Sequence, residues 1–358
     1  MHQNALKFLF GSLACGLSLL ACQERLAPTE TEEHRSKPRV FIFTDINIDD
    51  GDPDDRQSLV HLLWYANELK IEGIVPDRWS AQGYQACSLA VNAYAEDYQQ
   101  QNLQALAYPE PTAIRSLIAP DYLAAEALFQ AAAADTSSPL YVLVWGNMRR
   151  FGDALRTVPE LAYNIRLLTI GTGLMLEKDN PHLPPSWPKA EQACEQYNWN
   201  GFGRDSIFYD QRFQDLWWVE LNWTYAGMFT GPEPKQMWDS LANYGVLGEH
   251  LIEVTENQPW ARYFRVGDTP TVLYLIDPDN TFDDPGKGSW AGRFIRPFPR
   301  EHPNFYTDDA GELAWNYQDP CASWDLHLDV AQAAKSTLEA RRPQMYEALL
   351  DKLRRIYE

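Results

Sequence analysis

The sequence predicts an α/β protein: a mostly parallel sheet with helices on both faces and long loops at the C-terminal edge of its strands. Three observations lead there. Short apolar runs rich in β-formers, such as Val40-Phe41-Ile42-Phe43 and Leu140-Tyr141-Val142-Leu143-Val144, alternate with stretches of helical period. These runs lack polar alternation, as strands buried on both faces do, and such strands belong to parallel sheets. Six aspartates lie between positions 45 and 55, after the first apolar run and before the first helical stretch. In open α/β sheets that strand-to-helix turn is where ligands bind.

The elements follow in order. Ser58–Asn67 has apolar residues at 59, 62, 63 and 66 and reads as a helix. Ile71–Val75 reads as a strand, Ala81–Tyr98 as a helix and Leu103–Leu106 as a third strand. Leu117–Ala134 is mostly helical. Leu140–Val144 is a strand running into Trp145-Gly146-Asn147, with a helix over Arg149–Arg156. Ile165–Ile170 is a strand ended by Gly171-Thr172-Gly173. Residues 177–203, rich in Pro, Asn and Trp, read as an ordered functional loop. Arg204–Phe213 is a short helix and Leu216–Leu221 a strand. Thr269–Ile276 is a helix or a strand, Pro278–Trp324 is loop, and Ala331–Tyr357 is a terminal helix interrupted at Pro343. With no repeat and no Pro/Gly linker to divide it, the chain is expected to form one domain over residues 38–358.

The N-terminus reads as a targeting segment. Lys7 precedes an apolar stretch, Phe8–Ala21, of 14 residues, too short to span a bilayer. It ends in Leu19-Leu20-Ala21-Cys22, which resembles a bacterial lipobox. Residues 1–21 are thus expected to be a lipoprotein signal peptide, and Cys22 the lipidated residue. Residues 22–37 are polar and aperiodic, a flexible tether. The expected location is lipid-anchored, periplasmic or at the cell surface, with the bacterial outer membrane favoured. Cys87, Cys194 and Cys321 remain, an odd number with no metal-site spacing, so at most one disulfide can form. Cys87 lies in a helical pattern and reads as a small core residue. A formal charge of −20 excludes nucleic acid and anionic membrane surfaces as partners, leaving the Cys22 lipid as the membrane contact.

The acidic stretch carries the chemistry. Carboxylates this dense repel one another unless a cation sits among them. Calcium, held by 6–8 oxygens, suits an all-oxygen set that has no His or Cys. The EF-hand pattern comes close, since Asp45, Asn47 and Asp49 alternate. It fails because Asp50 takes the glycine position and Arg56 that of the bidentate Glu.

Thr44-Asp45-Ile46, Pro53-Asp54-Asp55-Arg56-Gln57-Ser58-Leu59-Val60, Tyr65-Ala66-Asn67-Glu68 and Ile71-Glu72-Gly73-Ile74 together resemble the nucleoside hydrolase superfamily. The nearer likeness is to the nucleoside-hydrolase-like domain of a bacterial cellulose-binding family. Val144-Trp145-Gly146, Gly267-Asp268-Thr269-Pro270 and Gly288-Ser289-Trp290-Ala291-Gly292-Arg293 extend the similarity over roughly residues 38–300. The resemblance implies calcium held by Asp45, Asp55, the backbone carbonyl of Trp145 and Asp268. Asp45 would also be the general base. Asp54 would bind a sugar hydroxyl, Asn200 and Asn198 the glycone, and Asp77 and Trp79 would join the substrate side. By spacing from Asp45 alone, Asp49 and Asp50 compete with Asp54 and Asp55. The later pair abuts the helix and carries the Pro-Asp-Asp-x-x-Ser signature.

Many purine-cleaving members carry a His directly before the late Asp, where this chain has Gly267. His302, Glu301 and Asp283 are the nearby alternatives in sequence, with surface placement favoured for each. The implied activity is metal-dependent hydrolysis of an N- or O-glycosidic bond in a carbohydrate or nucleoside-like substrate. The competing reading is a non-catalytic carbohydrate-binding lipoprotein, with Trp79, Trp199 and Trp290 as stacking platforms.

Overall fold

The computed structural model describes residues 36–48, 53–77, 80–171, 174–176, 196–198, 204–256, 262–311 and 327–358. Strand β1 (Arg39–Thr44) lies inside a seven-stranded sheet. The other strands are β2 (Lys70–Pro76), β3 (Leu140–Trp145), β4 (Ile165–Ile170), β7 (Trp217–Leu221), β8 (Phe294–Ile295) and β9 (Phe305–Asp308), in the order β2-β1-β3-β4-β7-β9-β8. Every pairing is parallel except that of β8 with β9. A separate antiparallel pair joins β5 (Leu174–Leu176) to β6 (Gln196–Asn198).

The helices are α1 (Asp54–Trp64), α2 (Ser80–Gln100), α3 (Pro111–Ser116), α4 (Ala124–Ala134), α5 (Arg149–Thr157) and α6 (Arg204–Phe208). After them come α7 (Glu233–Leu241), α8 (Gly245–Glu256), α9 (Pro270–Ile276), α10 (His327–Glu339) and α11 (Arg342–Tyr357). Lys37–Glu358 form one compact unit. Among the described residues no helix is long and apolar enough to cross a membrane.

The unbroken apolar strands do what their composition requires. All six residues of β1 and of β3 are buried. Because side chains alternate between faces, Val40 and Ile42 enter one core with Tyr141, Leu143 and Trp145, whereas Phe41 and Phe43 enter the other with Leu140, Val142 and Val144. Helices α1, α2, α8, α9 and α11 cover the first face, and α4 and α5 the second. Cys87 is buried among the first set, where desolvation pushes its thiol up to about 12, so it is the core residue the sequence implies. Cys194 and Cys321 lie outside the described residues.

The strand order places the ligand edge. The chain leaves β1 for β2 on one side, then returns to β3 on the other. The C-terminal ends of β1 and β3 therefore flank a topological switch point, where α/β sheets open a crevice. Thr44 is in register with Trp145 across it.

Several expected elements differ. Leu103–Leu106 is a 3-10 helix, not a strand; Asn102 and Ala107 on either side adopt left-handed backbone, which no strand can continue through. Helix α4 begins only at Ala124, after a 3-10 turn over Asp121–Leu123 that follows Pro120. The 278–324 region contains β8 and β9, and 233–256 forms α7 and α8, which the periodicity did not single out. The terminal helix is two helices, with Pro343 in the first turn of the second, where its missing N–H costs nothing.

Helix α6 is fastened to β7 by a buried ion pair. Arg204 Nε donates to Glu220 Oε1 at 2.8 Å, and both side chains are fully inaccessible. The guanidinium also lies 4.4 Å from the Phe208 ring centroid. Removing one partner of such a pair strands the other charge, so Glu220→Leu is expected to cost about 3–5 kcal/mol. In urea denaturation, Arg204→Met combined with Glu220→Leu should recover most of that loss.

Candidate metal centre

Four of the expected site residues meet at the switch point. Asp45 follows β1, and its backbone N–H donates to the Trp145 carbonyl at 3.3 Å. Asp54 and Asp55 form the first turn of α1, where the helix dipole favours negative charge. Asp268 lies two residues before α9. Carboxylate oxygens of Asp54, Asp55 and Asp268 all lie within 4.8 Å of one another, and all three residues are buried. The later Asp pair lies at this centre. Asp49 and Asp50 lie outside the described residues.

Each carboxylate has a local reason for its position. Thr44 follows Val40 and Ile42 on the α1 side of β1, and its hydroxyl donates to Asp55 Oδ1. The same hydroxyl accepts the Ile46 N–H at 3.1 Å, which fixes the chain as it leaves the strand. Ser58, one turn into α1, accepts the Asp268 N–H at 3.3 Å. That contact gives the Ser of the Pro-Asp-Asp-x-x-Ser signature a physical role. Gln57 clamps the segment before Asp268: its amide donates to the Tyr263 carbonyl at 3.1 Å and accepts the Arg265 N–H at 2.7 Å.

Trp145 ties β3 to the same loop, because its indole donates to Thr271 Oγ1 at 2.8 Å and that hydroxyl donates to the Asp268 carbonyl at 2.9 Å. Gly146 follows with φ at +95°, and a Cβ there would lie 3.0 Å from Asp45 Oδ1. A glycine both permits the turn and leaves room for the Asp45 carboxylate. In the sequence Thr44 and Ser58 are visible only as motif letters, and no local signal marks the positioning roles of Gln57 and Thr271.

The electrostatics set a demand. Two carboxylates near 4.8 Å apart repel by roughly 3–4 kcal/mol at an effective dielectric of about 20. Several such pairs rival the whole stability of a typical domain, about 5–15 kcal/mol. Burial pushes Asp55 well above the usual carboxylate range, with the charges of Asp268, Asp45 and Asp54 adding to the rise and the Thr44 hydroxyl opposing it. Protonation or nearby positive charge relieves such crowding. Three carboxylates, with Asp45 and the Trp145 carbonyl beside them, make an all-oxygen donor set that fits a hard divalent ion.

The remaining candidates fall elsewhere. Asp77 is buried at the end of β2, and its N–H donates to the Thr44 carbonyl at 2.9 Å, so it shares the edge with Asp45. Asn198 closes β6 opposite Leu174. Trp79, Trp199 and Asn200 lie outside the described residues. Trp290 packs partly buried against the core. His302 and Glu301 precede β9, and Asp283 pairs with Arg166 near the start of β4; all three are therefore at the opposite edge from the aspartates. His302 stacks on Phe208 at 4.3 Å.

The pH dependence follows. A carboxyl raised in the folded state contributes full stability below its unfolded pKa, about 3.9, and that contribution is lost as pH rises through the folded value. With divalent cations chelated, melting temperature should fall as pH rises from 4 towards neutrality. Asp55→Asn should flatten that fall, and a variant with the wild-type slope would show that Asp55 is not its source.

Residues 39–294 match the family described as cellulose-binding Sde182, nucleoside hydrolase-like domain. No curated protein matches the chain. Among solved structures, a nucleoside hydrolase-related hypothetical protein from Saccharophagus degradans, described as associated with carbohydrate metabolism, is 18% identical. It superposes with a TM-score of 0.60, over 90% of this chain and 72% of its own. An inosine-uridine preferring nucleoside hydrolase from Bacillus anthracis is 13% identical, with a TM-score of 0.46 over 83% of this chain and 99% of its own. The type III effector protein XopQ, solved with adenosine diphosphate ribose, is 15% identical, with a TM-score of 0.47 over 85% of this chain and 95% of its own. A mostly parallel sheet with the Thr-Asp and Pro-Asp-Asp segments at its switch point, and a family match over most of the chain, lead to one conclusion: this protein belongs to the cellulose-binding Sde182 family and has its nucleoside hydrolase-like fold.

Proposed function

We propose that the protein is a calcium-dependent hydrolase acting on the glycosidic bond of a carbohydrate or nucleoside-like ligand. The observation that carries this reading is the convergence of Asp54, Asp55 and Asp268, with Asp45 beside them, at the sheet's switch point. A bound calcium would polarise water and engage vicinal sugar hydroxyls. Asp45 sits at the edge of the cluster, held by its N–H to the Trp145 carbonyl, and takes the proton from the attacking water as general base. Water adds to the anomeric carbon through an oxocarbenium-like transition state as the bond to the aglycone breaks. Asp77, on the same edge, and Asn198 and Asn200 supply the sugar side. Crowded carboxylates favour a cationic transition state, because positive charge develops on the sugar beside them.

One observation favours a second reading, carbohydrate binding without turnover. The leaving group needs a proton, and at the position where purine-cleaving relatives of the superfamily place a His, this chain has Gly267. A Cβ there would lie 2.4 Å from Asp54 Oδ2. The family's description as cellulose-binding agrees with that reading.

The assay separates them. Nitrophenyl glycosides, whose leaving groups depart without protonation, should turn over in the presence of calcium. Inosine should be slower by about 10²–10⁴ for want of the acid. Asp45→Asn should reduce glycoside turnover by about 10²–10⁴. Absence of turnover on every substrate, with calcium-dependent retention of oligosaccharide, would establish the binding function instead.

The lipobox-like Leu19-Leu20-Ala21-Cys22 supports a lipid anchor at Cys22 on the periplasmic or cell-surface side. Cys22→Ser should move the protein from the membrane to the soluble fraction, and continued detergent-dependent extraction of that variant would rule the anchor out.

A further inference from the structure

Gly267 lies directly before Asp268 in the segment that Gln57 clamps to α1. Its backbone is not in the left-handed region, so nothing in the chain's conformation there demands glycine. What demands it is space. A Cβ at this position would lie 2.4 Å from Asp54 Oδ2 and 3.4 Å from Asp54 Cγ, with the Phe229 ring next at 3.6 Å. Real Cβ atoms do not approach an oxygen so closely, so any side chain here moves the Asp54 carboxylate. Asp54 is buried at the start of α1, and its oxygen lies within 4.8 Å of those of Asp55 and Asp268. The volume vacated by the missing side chain is therefore filled by the third carboxylate of the cluster.

We propose that Gly267 is a positioning residue for the metal centre: by lacking a side chain it lets Asp54 turn in beside Asp55 and Asp268 as a direct cation ligand. This rests on the reading of the cluster as a cation site. It reassigns Asp54, which the sequence resemblance placed on a sugar hydroxyl. It also turns the missing leaving-group His into an exchange, since one position cannot hold both a bulky side chain at 267 and this orientation of Asp54. A third carboxylate raises the negative charge around the ion. The centre is thereby built for tight retention of a divalent cation, and sugar hydroxyls reach Asp54 only by way of that cation.

The test is calcium affinity by titration calorimetry on the full chain, with melting temperature in chelator as the check on folding. Losing a group that orients a ligand typically costs roughly 10–100-fold in metal affinity. Gly267→Ala should weaken calcium binding by that much, and so should Asp54→Ala. In the Asp54→Ala background the added methyl meets no carboxylate, so Gly267→Ala should cost nothing further. Asp55→Asn reports on the underlying reading: if that variant binds calcium as the wild type does, the cluster is not the cation site. If Asp55→Asn loses calcium while Asp54→Ala retains it, the cluster stands and the role of Gly267 falls. Equal losses from Gly267→Ala in both backgrounds would overturn it as well, because the effect would not pass through Asp54. Should Gly267→Ala melt too low to titrate, the Asp54→Ala background decides: Gly267→Ala added there should melt as Asp54→Ala does, and an equally low melting temperature would overturn the proposal.

Discussion

Carboxylates taken out of water beside one another repel strongly, and this fold takes three of them out of water at one point. Much of the structure around the switch point holds them there against that repulsion. Thr44 donates to Asp55, Ser58 accepts the N–H of Asp268, and the N-terminus of α1 faces Asp54 and Asp55 with its dipole. None of these contacts supplies a full positive charge. A buried all-oxygen convergence of this kind fits a hard cation.

The scaffold makes the convergence possible because it is stiff where it needs to be. Strands β1 and β3 are buried along their whole length, and their ends are in register at Thr44 and Trp145. The late loop reaches this edge through Gln57 and through the Trp145–Thr271–Asp268 chain of hydrogen bonds. Each of these polar groups pairs with backbone or hydroxyl, so the loop is fixed by directional contacts as well as by packing. The C-terminal helix is fixed in the same manner. Tyr357 donates to Asp97 at 2.6 Å, and Asp97 accepts the N–H groups of Val246 and Leu247 at the start of α8.

Gly267 shows how one absent side chain can connect two functional questions. In the proposed reaction it leaves the leaving group without a proton donor at that position. At the proposed cation site it leaves room for Asp54. On that proposal steric exclusion joins the two, and cation retention and acid catalysis would draw on the same small volume.

The sequence by itself determined the strands β1 to β4 and β7, because continuous β-branched and aromatic runs have no other use in a soluble core. Through motif resemblance it pointed to Asp45, Asp55 and Asp268 as neighbours, and the strand-to-helix position of the aspartates pointed to the sheet edge as their place. Periodicity missed α7 and α8 and read Leu103–Leu106 as a strand, since a short apolar run is the same in any conformation until its flanks are known. It could not find β8 and β9, whose pairing is between residues of the loop-like region and β7. Only the tertiary structure decided that Asp54 joins the cluster and that Gly267 is glycine for space rather than for backbone. Both depend on a distance between segments more than 200 residues apart, and local pattern carries no information about that distance.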